Sequence, residues 1–104
     1  MTFEDLDCHV LEWARERGIL AKSDPKTQCL KMVSEVGELA DAVAVGDMMK
    51  TIDGIGDVLV TLIILSELLK LDATECLETA YTEIAKREGT MVNGIFVKTG
   101  VAND

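Results

Sequence analysis

Aromatic side chains are nearly absent: Phe3, Trp13, Tyr81 and Phe96 are all that 104 residues contain. A core must therefore be aliphatic, assembled from Leu, Ile, Val, Met and Ala. Basic residues are scarce too, ten Lys and Arg against nineteen Asp and Glu, a formal charge of −9. That balance disfavours a nucleic acid polymer or an anionic membrane as partner, because phosphate backbones and acidic lipids reward the opposite sign. Histidine occurs once, so His9 has no second imidazole with which to share a metal. Cys8, Cys29 and Cys76 are odd in number and include no C-x-x-C pair, which excludes a disulfide framework and reads as reduced thiols in a cytosolic compartment. Cys29 and Cys76 have apolar neighbours and read as small core residues. Long hydrophobic runs are also missing. The longest uncharged apolar stretch, Val58 to Ser66, is too short to span a bilayer. The opening MTFEDLD has neither the basic nor the apolar region of a signal peptide.

What remains is 48% apolar and strongly patterned. The expected organisation is one helical domain over residues 1–104. A chain of this length buries only a moderate core, so self-association is a natural supplement. Thr2 with Asp5 forms a capping-box pattern ahead of Leu6, Val10, Leu11 and Trp13, and Gly18 closes that helix. Residues 19–24 read as a connection. Asp24 followed by the single proline, Pro25, marks the start of a second helix that should run to about Val45 and stop at Gly46. Its apolar positions are Leu30, Val33, Leu39, Ala40, Val43 and Ala44. Gly37 inside it costs about 1 kcal/mol relative to Ala, a cost explained by close approach of another backbone or ligand, or by simple tolerance. Met48 and Met49 read as packing residues in a short link. A third helix is predicted from Thr51 or Ile52 to Lys70 or Leu71, and a fourth from the cap at Asp72 to Gly89, carrying Cys76, Leu77, Ala80, Tyr81, Ile84 and Ala85. The tail over residues 90–104 is β-branched and contains Asn93-Gly94, a hairpin-turn dipeptide. Arms of about three residues make an isolated hairpin marginal, so an extended tail over the helices is expected.

Two of these helices carry paired carboxylates. On the second, Lys31, Ser34, Glu35, Glu38 and Asp41 form one polar stripe, the ordinary solvated face of an amphipathic helix if taken alone. The third reads VLVTLIIL from Val58 to Leu65, apolar all round, which demands either a central position or a subunit interface. Asp53 and Asp57, one turn apart, continue into Val60, Ile64 and Leu68. Carboxylates on such a face are normally paired, protonated or metal-bound. Asp53 has the alternative of a first-turn acid favoured by the helix dipole, whereas Asp57 lies a turn deeper. An antiparallel pairing brings Glu35 and Glu38 opposite Asp53 and Asp57. Four carboxylates without His or Cys suit Mg²⁺, or Mn²⁺, rather than zinc.

This arrangement resembles the MazG-like, all-α nucleoside triphosphate pyrophosphohydrolases, whose signature is E-E-x-x-E on one helix and E-x-x-D on the next. Here the two elements read Ser34-Glu35-Val36-Gly37-Glu38-Leu39 and Asp53-Gly54-Ile55-Gly56-Asp57-Val58-Leu59. The stretch CLETAYTEIAKREGTMVNGIFVK looks like the phage-type, single-domain members, and the resemblance covers nearly the whole chain. Ser34 stands where the family has its first Glu. Gly54 stands where an acid is expected three residues before Asp57, with Asp53 one position earlier.

The resemblance implies a four-helix bundle-like MazG fold with an extended C-terminal tail. It implies Mg²⁺-dependent cleavage of a ribo- or deoxyribonucleoside triphosphate between the α and β phosphates, giving monophosphate and pyrophosphate. Glu35, Glu38 and Asp57 would be metal ligands, with Asp53 as a fourth, and Glu35 or Glu38 would double as the catalytic base. Lys31, Lys86, Arg87 and Lys98 become phosphate contacts, and Asn93 and Trp13 nucleoside contacts. The assembly expected is a homodimer or homotetramer, in the cytoplasm of a bacterium or phage-infected host. Gly54 motivates one alternative, a nucleotide-binding or regulatory protein with weak or no turnover. Another is a structural helical oligomerisation module with the third helix as its seam.

Overall fold

The computed structural model describes residues 1–100. Its elements in order are α1 (Phe3–Glu16), α2 (Ile19–Lys22), α3 (Pro25–Val45), α4 (Met48–Leu68), α5 (Ala73–Ile84), β1 (Gly89–Val92) and β2 (Ile95–Lys98). The four long helices expected are present and the chain is predominantly helical, so the all-α class holds. The chain divides into two compact units, the first over Met1–Ala73 and the second from Thr74 onward.

Local chemistry sets the helix ends in the first unit. Thr2 Oγ1 accepts from the Asp5 amide at 3.1 Å, while Asp5 accepts from the Thr2 amide at 3.0 Å, a reciprocal capping box. The expected connection after Gly18 contains one further turn of helix, α2. Asp24 caps α3 by accepting the Thr27 amide at 2.8 Å, with Pro25 in the first turn where its missing N–H costs nothing. Gly46, at φ 75°, ends α3 in the left-handed conformation. Asp47 then caps α4 immediately, accepting the Lys50 amide at 3.1 Å. So α4 starts at Met48, a turn earlier than expected, because Gly46-Asp47 is a stop and a start back to back.

With only Gly46 and Asp47 between them, α3 and α4 form an antiparallel helical hairpin, the main packing of this unit. The other helices of the unit gather on α4, which meets α1 and α2 as well as α3. The core is small: Ala14, Ala42, Ile63 and Ile64 are its buried apolar residues, and no large side chain is completely buried among the described residues.

The covered face of the hairpin is only partly the one expected. On α3 the residues turned inward are Gln28, Met32, Glu35, Leu39 and Ala42, at alternating spacings of four and three. The positions expected to form its apolar core face are largely exposed, Leu30, Val33 and Val43 among them. On α4 the inner positions include Gly54, Asp57, Val58, Thr61, Ile64, Leu65 and Leu68. Far from being buried on all sides, α4 exposes Ile52, Ile55, Leu59 and Leu62 along one edge. Met48 and Met49 are exposed rather than packed, and so are all three cysteines. Periodicity identifies the faces of a helix but not which of them its own chain covers, and here Lys31, Ser34, Glu38 and Asp41 stay exposed as expected while Glu35 is covered and Leu30, Val33 and Val43 are not.

In the second unit α5 ends at Ile84, short of Gly89, and the chain unwinds through tighter turns, with Lys86 and Arg87 amides bonded to Glu83 and Ile84 carbonyls. The tail is then a β-hairpin rather than an extended strap. β1 and β2 pair antiparallel from Gly89↔Lys98 to Val92↔Ile95, four residues to an arm. Asn93 at φ 50° and Gly94 at φ 82° make the turn. Two successive positive φ values match the right-handed twist of the strands, so this dipeptide favours the hairpin strongly enough to offset its short arms. Gly89, taken in the sequence as a helix end, belongs to β1; a Cβ there would run into the Val97 carbonyl oxygen and the Phe96 ring. Residues 101–104 of the expected tail lie outside the described residues.

Candidate active site

The hairpin register is visible at one close contact. Gly54 of α4 lies buried against Leu39 of α3. Counting back one turn on α3 and forward one turn on α4 sets Glu35 across from Asp57 and Val58. The inner surface of the hairpin therefore carries acid where an ordinary helix pair carries apolar side chains.

Glu35 is the most deeply set of the four candidate ligands, at 8% exposure. It pairs with Lys31, a turn earlier, whose Nζ lies 3.0 Å from Glu35 Oε1. Asp57 is half-buried, and Glu38 and Asp53 are exposed at the rim. The four share one electrostatic field. Desolvation pushes the Asp57 carboxyl above the usual carboxylate range, and the negative charges of Asp53 and Glu35 push it further, with Lys31 partly offsetting them. Lys31 is held above the ordinary lysine value by its hydrogen bond and charge attraction to Glu35, with Glu38 and Asp57 adding to the effect. One cation thus senses three of the acids, and one acid senses two of the others.

The sequence weighed these residues differently. It took Glu35 and Glu38 as a solvated face and Asp57 as the anchor. The structure buries Glu35 most, because the facing helix determines which residues of α3 are covered. Ser34, at the position where the family has a Glu, is exposed, a quarter-turn round α3 from Glu35. The contact between Leu39 and Gly54 had no sequence signal beyond an unexplained glycine, and the glycine singled out for its neighbours, Gly37, has nothing within 4 Å of a built Cβ.

The remaining candidates are placed as follows. Trp13, on α1, is half-exposed with the Arg17 guanidinium 6.0 Å from its ring centroid. Lys86, Arg87, Asn93 and Lys98 belong to the second unit. Lys86 pairs with Glu83 at 3.7 Å, both exposed, Arg87 follows the end of α5, Asn93 occupies the hairpin turn, and Lys98 lies opposite Gly89 in the ladder.

Among the described residues, no three of Asp, Glu, His and Cys stand close enough to form a ready-made metal cage. The donor set still fits a hard divalent cation in kind: carboxylate oxygen throughout, with mutual repulsion that a cation would relieve. Lys31 is paired with Glu35, and Glu38 and Asp53 are exposed.

Fold and acids together define an all-α protein with four carboxylates arrayed across one helical hairpin. The chain belongs to the MazG nucleotide pyrophosphohydrolase family, its residues 23–91 matching that domain. The matched span takes in α3, α4, α5 and β1 up to Met91, and so all four acids. A protein of Haemophilus phage HP1 (strain HP1c1), an uncharacterized 18.2 kDa protein in the rep-hol intergenic region, is 34% identical over 67 residues. That alignment covers 62% of this chain and 40% of the phage protein, so the chain spans well under two thirds of its relative's length. No solved structure matches the chain. Among the described residues, no helix is long and apolar enough to cross a membrane.

Proposed function

We propose that the chain is a divalent-cation-dependent nucleoside triphosphate pyrophosphohydrolase, cleaving ribo- or deoxyribonucleotides between the α and β phosphates. The observation that carries this reading is Glu35, buried on the α4-facing side of α3 with Lys31 as its counter-charge, whose negative charge together with that of Asp53 reaches the Asp57 carboxyl on α4. Glu35 and Glu38 from α3 and Asp57 from α4 would hold Mg²⁺, or Mn²⁺, with Asp53 as the fourth ligand. Such an ion supplies neutralisation of the phosphates and polarisation of the phosphoryl group. Glu35 or Glu38 accepts the proton of the attacking water as it adds across the α–β anhydride, and pyrophosphate leaves with the electron pair of the broken P–O bond. Lys31, released from Glu35, becomes available to a phosphate oxygen. Lys86, Arg87 and Lys98 are kept as proposed phosphate contacts and Asn93 and Trp13 as proposed nucleoside contacts, of which only Lys86 and Arg87 fall within the matched residues.

The reading includes self-association. Ile52, Ile55, Leu59 and Leu62 recur at spacings of three and four along the open edge of α4, the pattern of a helix–helix seam. A second copy supplies the cover that so small a core leaves wanting, as a homodimer or homotetramer in the cytoplasm.

The test is direct. Purified protein with Mg²⁺ and a panel of NTPs and dNTPs should release monophosphate and pyrophosphate in equal amounts, and Glu38→Gln should abolish this. Nucleotide binding by calorimetry without turnover would favour the regulatory alternative. Neither binding nor turnover would sink the site and leave the helical module.

A further inference from the structure

The glycines of the hairpin differ in one measurable respect. A Cβ built on Gly37 or on Gly56 meets nothing within 4 Å. A Cβ on Gly54 would lie 3.2 Å from both Cβ and Cδ1 of Leu39 and 3.3 Å from the Leu39 Cα. The Cα belongs to the backbone and cannot rotate away, so one added carbon would require Leu39 to give way by a few tenths of an ångström. Each helix-interior glycine costs about 1 kcal/mol relative to Ala. Only at Gly54 does the chain gain a closer helix contact in return.

The position of that contact gives it meaning. Leu39 adjoins Glu38 and lies one turn from Glu35; Gly54 adjoins Asp53 and lies three residues from Asp57. The close contact of Gly54 with Leu39 thus lies within about one turn of each of the four acids along its own helix, and interhelix distance follows the side chains at the contact. We propose that Gly54 is a positioning residue: its missing side chain sets the α3–α4 separation at which the two acid pairs can close on one cation. This rests on the cation-site reading above. It also reinterprets the absent acid. An acid at position 54 would start from a Cβ pressed on Leu39, whereas Asp53 sits at the open rim and still acts on Asp57. Glycine at 54 and acid at 53 form one compensated arrangement.

The experiment titrates Mn²⁺ into the full chain and into Gly54→Ala, Gly56→Ala and Gly37→Ala, reading Kd by calorimetry and Tm in the absence of metal. Gly56→Ala and Gly37→Ala should keep Kd within about twofold and raise Tm, as helix propensity requires. Gly54→Ala should weaken Mn²⁺ binding about fivefold or more, on the scale by which an ångström of misplacement costs on the order of 10²-fold. A glycine of merely structural importance would shift Tm and leave Kd unchanged, and that result overturns the proposal. So does an Asp53→Asn/Gly54→Glu double variant that binds Mn²⁺ as tightly as the wild type, since position 54 would then be an open ligand slot. If the double variant does not fold, Gly54→Ala decides alone. A wild-type chain that binds no Mn²⁺, or binds it equally after Glu38→Gln, overturns the site reading first and the proposal with it.

Discussion

The inner face of the α3–α4 hairpin mixes acid with its apolar side chains, and the outer face mixes apolar side chains with its charge. Inside, where apolar side chains ordinarily pack, stand Glu35 and Asp57 with a glycine between the helices. Outside, where solvent ordinarily selects charge, run Ile52, Ile55, Leu59 and Leu62 on α4 and Leu30, Val33 and Val43 on α3. Acid placed inside costs folding free energy and is justified by a ligand. Apolar surface left outside costs solubility and is justified by a partner. If both justifications hold, changes to the two faces should fail in different assays.

The largest effect is expected inside. Glu35→Gln and Glu38→Gln should each lower turnover about 10²-fold or more, the scale of a lost base or ligand, while circular dichroism and molecular mass stay as in the wild type. A loss of mass accompanying the loss of activity would show that the two faces are not separable. Next comes the outer face. Leu59→Glu places a charge in the middle of the apolar edge and should weaken self-association at least tenfold, about 1.4 kcal/mol, seen by light scattering across micromolar concentrations. If the wild type is already a monomer there, the outer face is not a seam.

A smaller effect distinguishes function from stability within the inner face. Asp57 carries a carboxyl that burial and its acidic neighbours make reluctant to ionise. Asp57→Asn removes that repulsion and should raise Tm by about 1–3 °C without metal, while reducing the rise that Mg²⁺ gives the wild type. Stabilisation with an undiminished Mg²⁺ response would remove Asp57 from the ligand set.

What the sequence disclosed follows the range of the forces involved. Thr2 with Asp5, Asp24 with Pro25, and Gly46 act within one turn of chain, and each helix end they predict is found. Asn93-Gly94 also acts locally, but its signal was outweighed because Gly89 had been assigned to the helix and the arms looked too short. The four acids were found by their pairing on two helices. Their ranking was not, since whether Glu35 or Asp57 is covered depends on which residue of the facing helix lies opposite. For the same reason Gly54 read as a lost acid, although its neighbour Leu39 is fifteen positions away in the chain.

The smallest effect concerns acids that belong to neither face. Asp24 accepts the Thr27 amide and hydroxyl at 2.8 and 2.9 Å, and those bonds, the backbone one first, hold its carboxyl below the usual range; Thr2 does the same for Asp5. A carboxyl depressed in the folded state adds stability that is present above its unfolded pKa and lost as pH falls through the lower folded value. Asp57 has the opposite sign, its raised carboxyl losing stability as pH rises from the ordinary carboxylate value up through the higher folded one. Asp24→Ala should therefore melt below the wild type at pH 7, with the gap narrowing as pH falls below the ordinary Asp value and closing only below the depressed folded one. Mn²⁺ affinity should not change, because Asp24 lies three turns of α3 from Glu35. A gap independent of pH would mean that the cap acts through shape alone. A change in Mn²⁺ affinity would mean that the end of α3, and not only the crossing at Gly54, holds the acids in place.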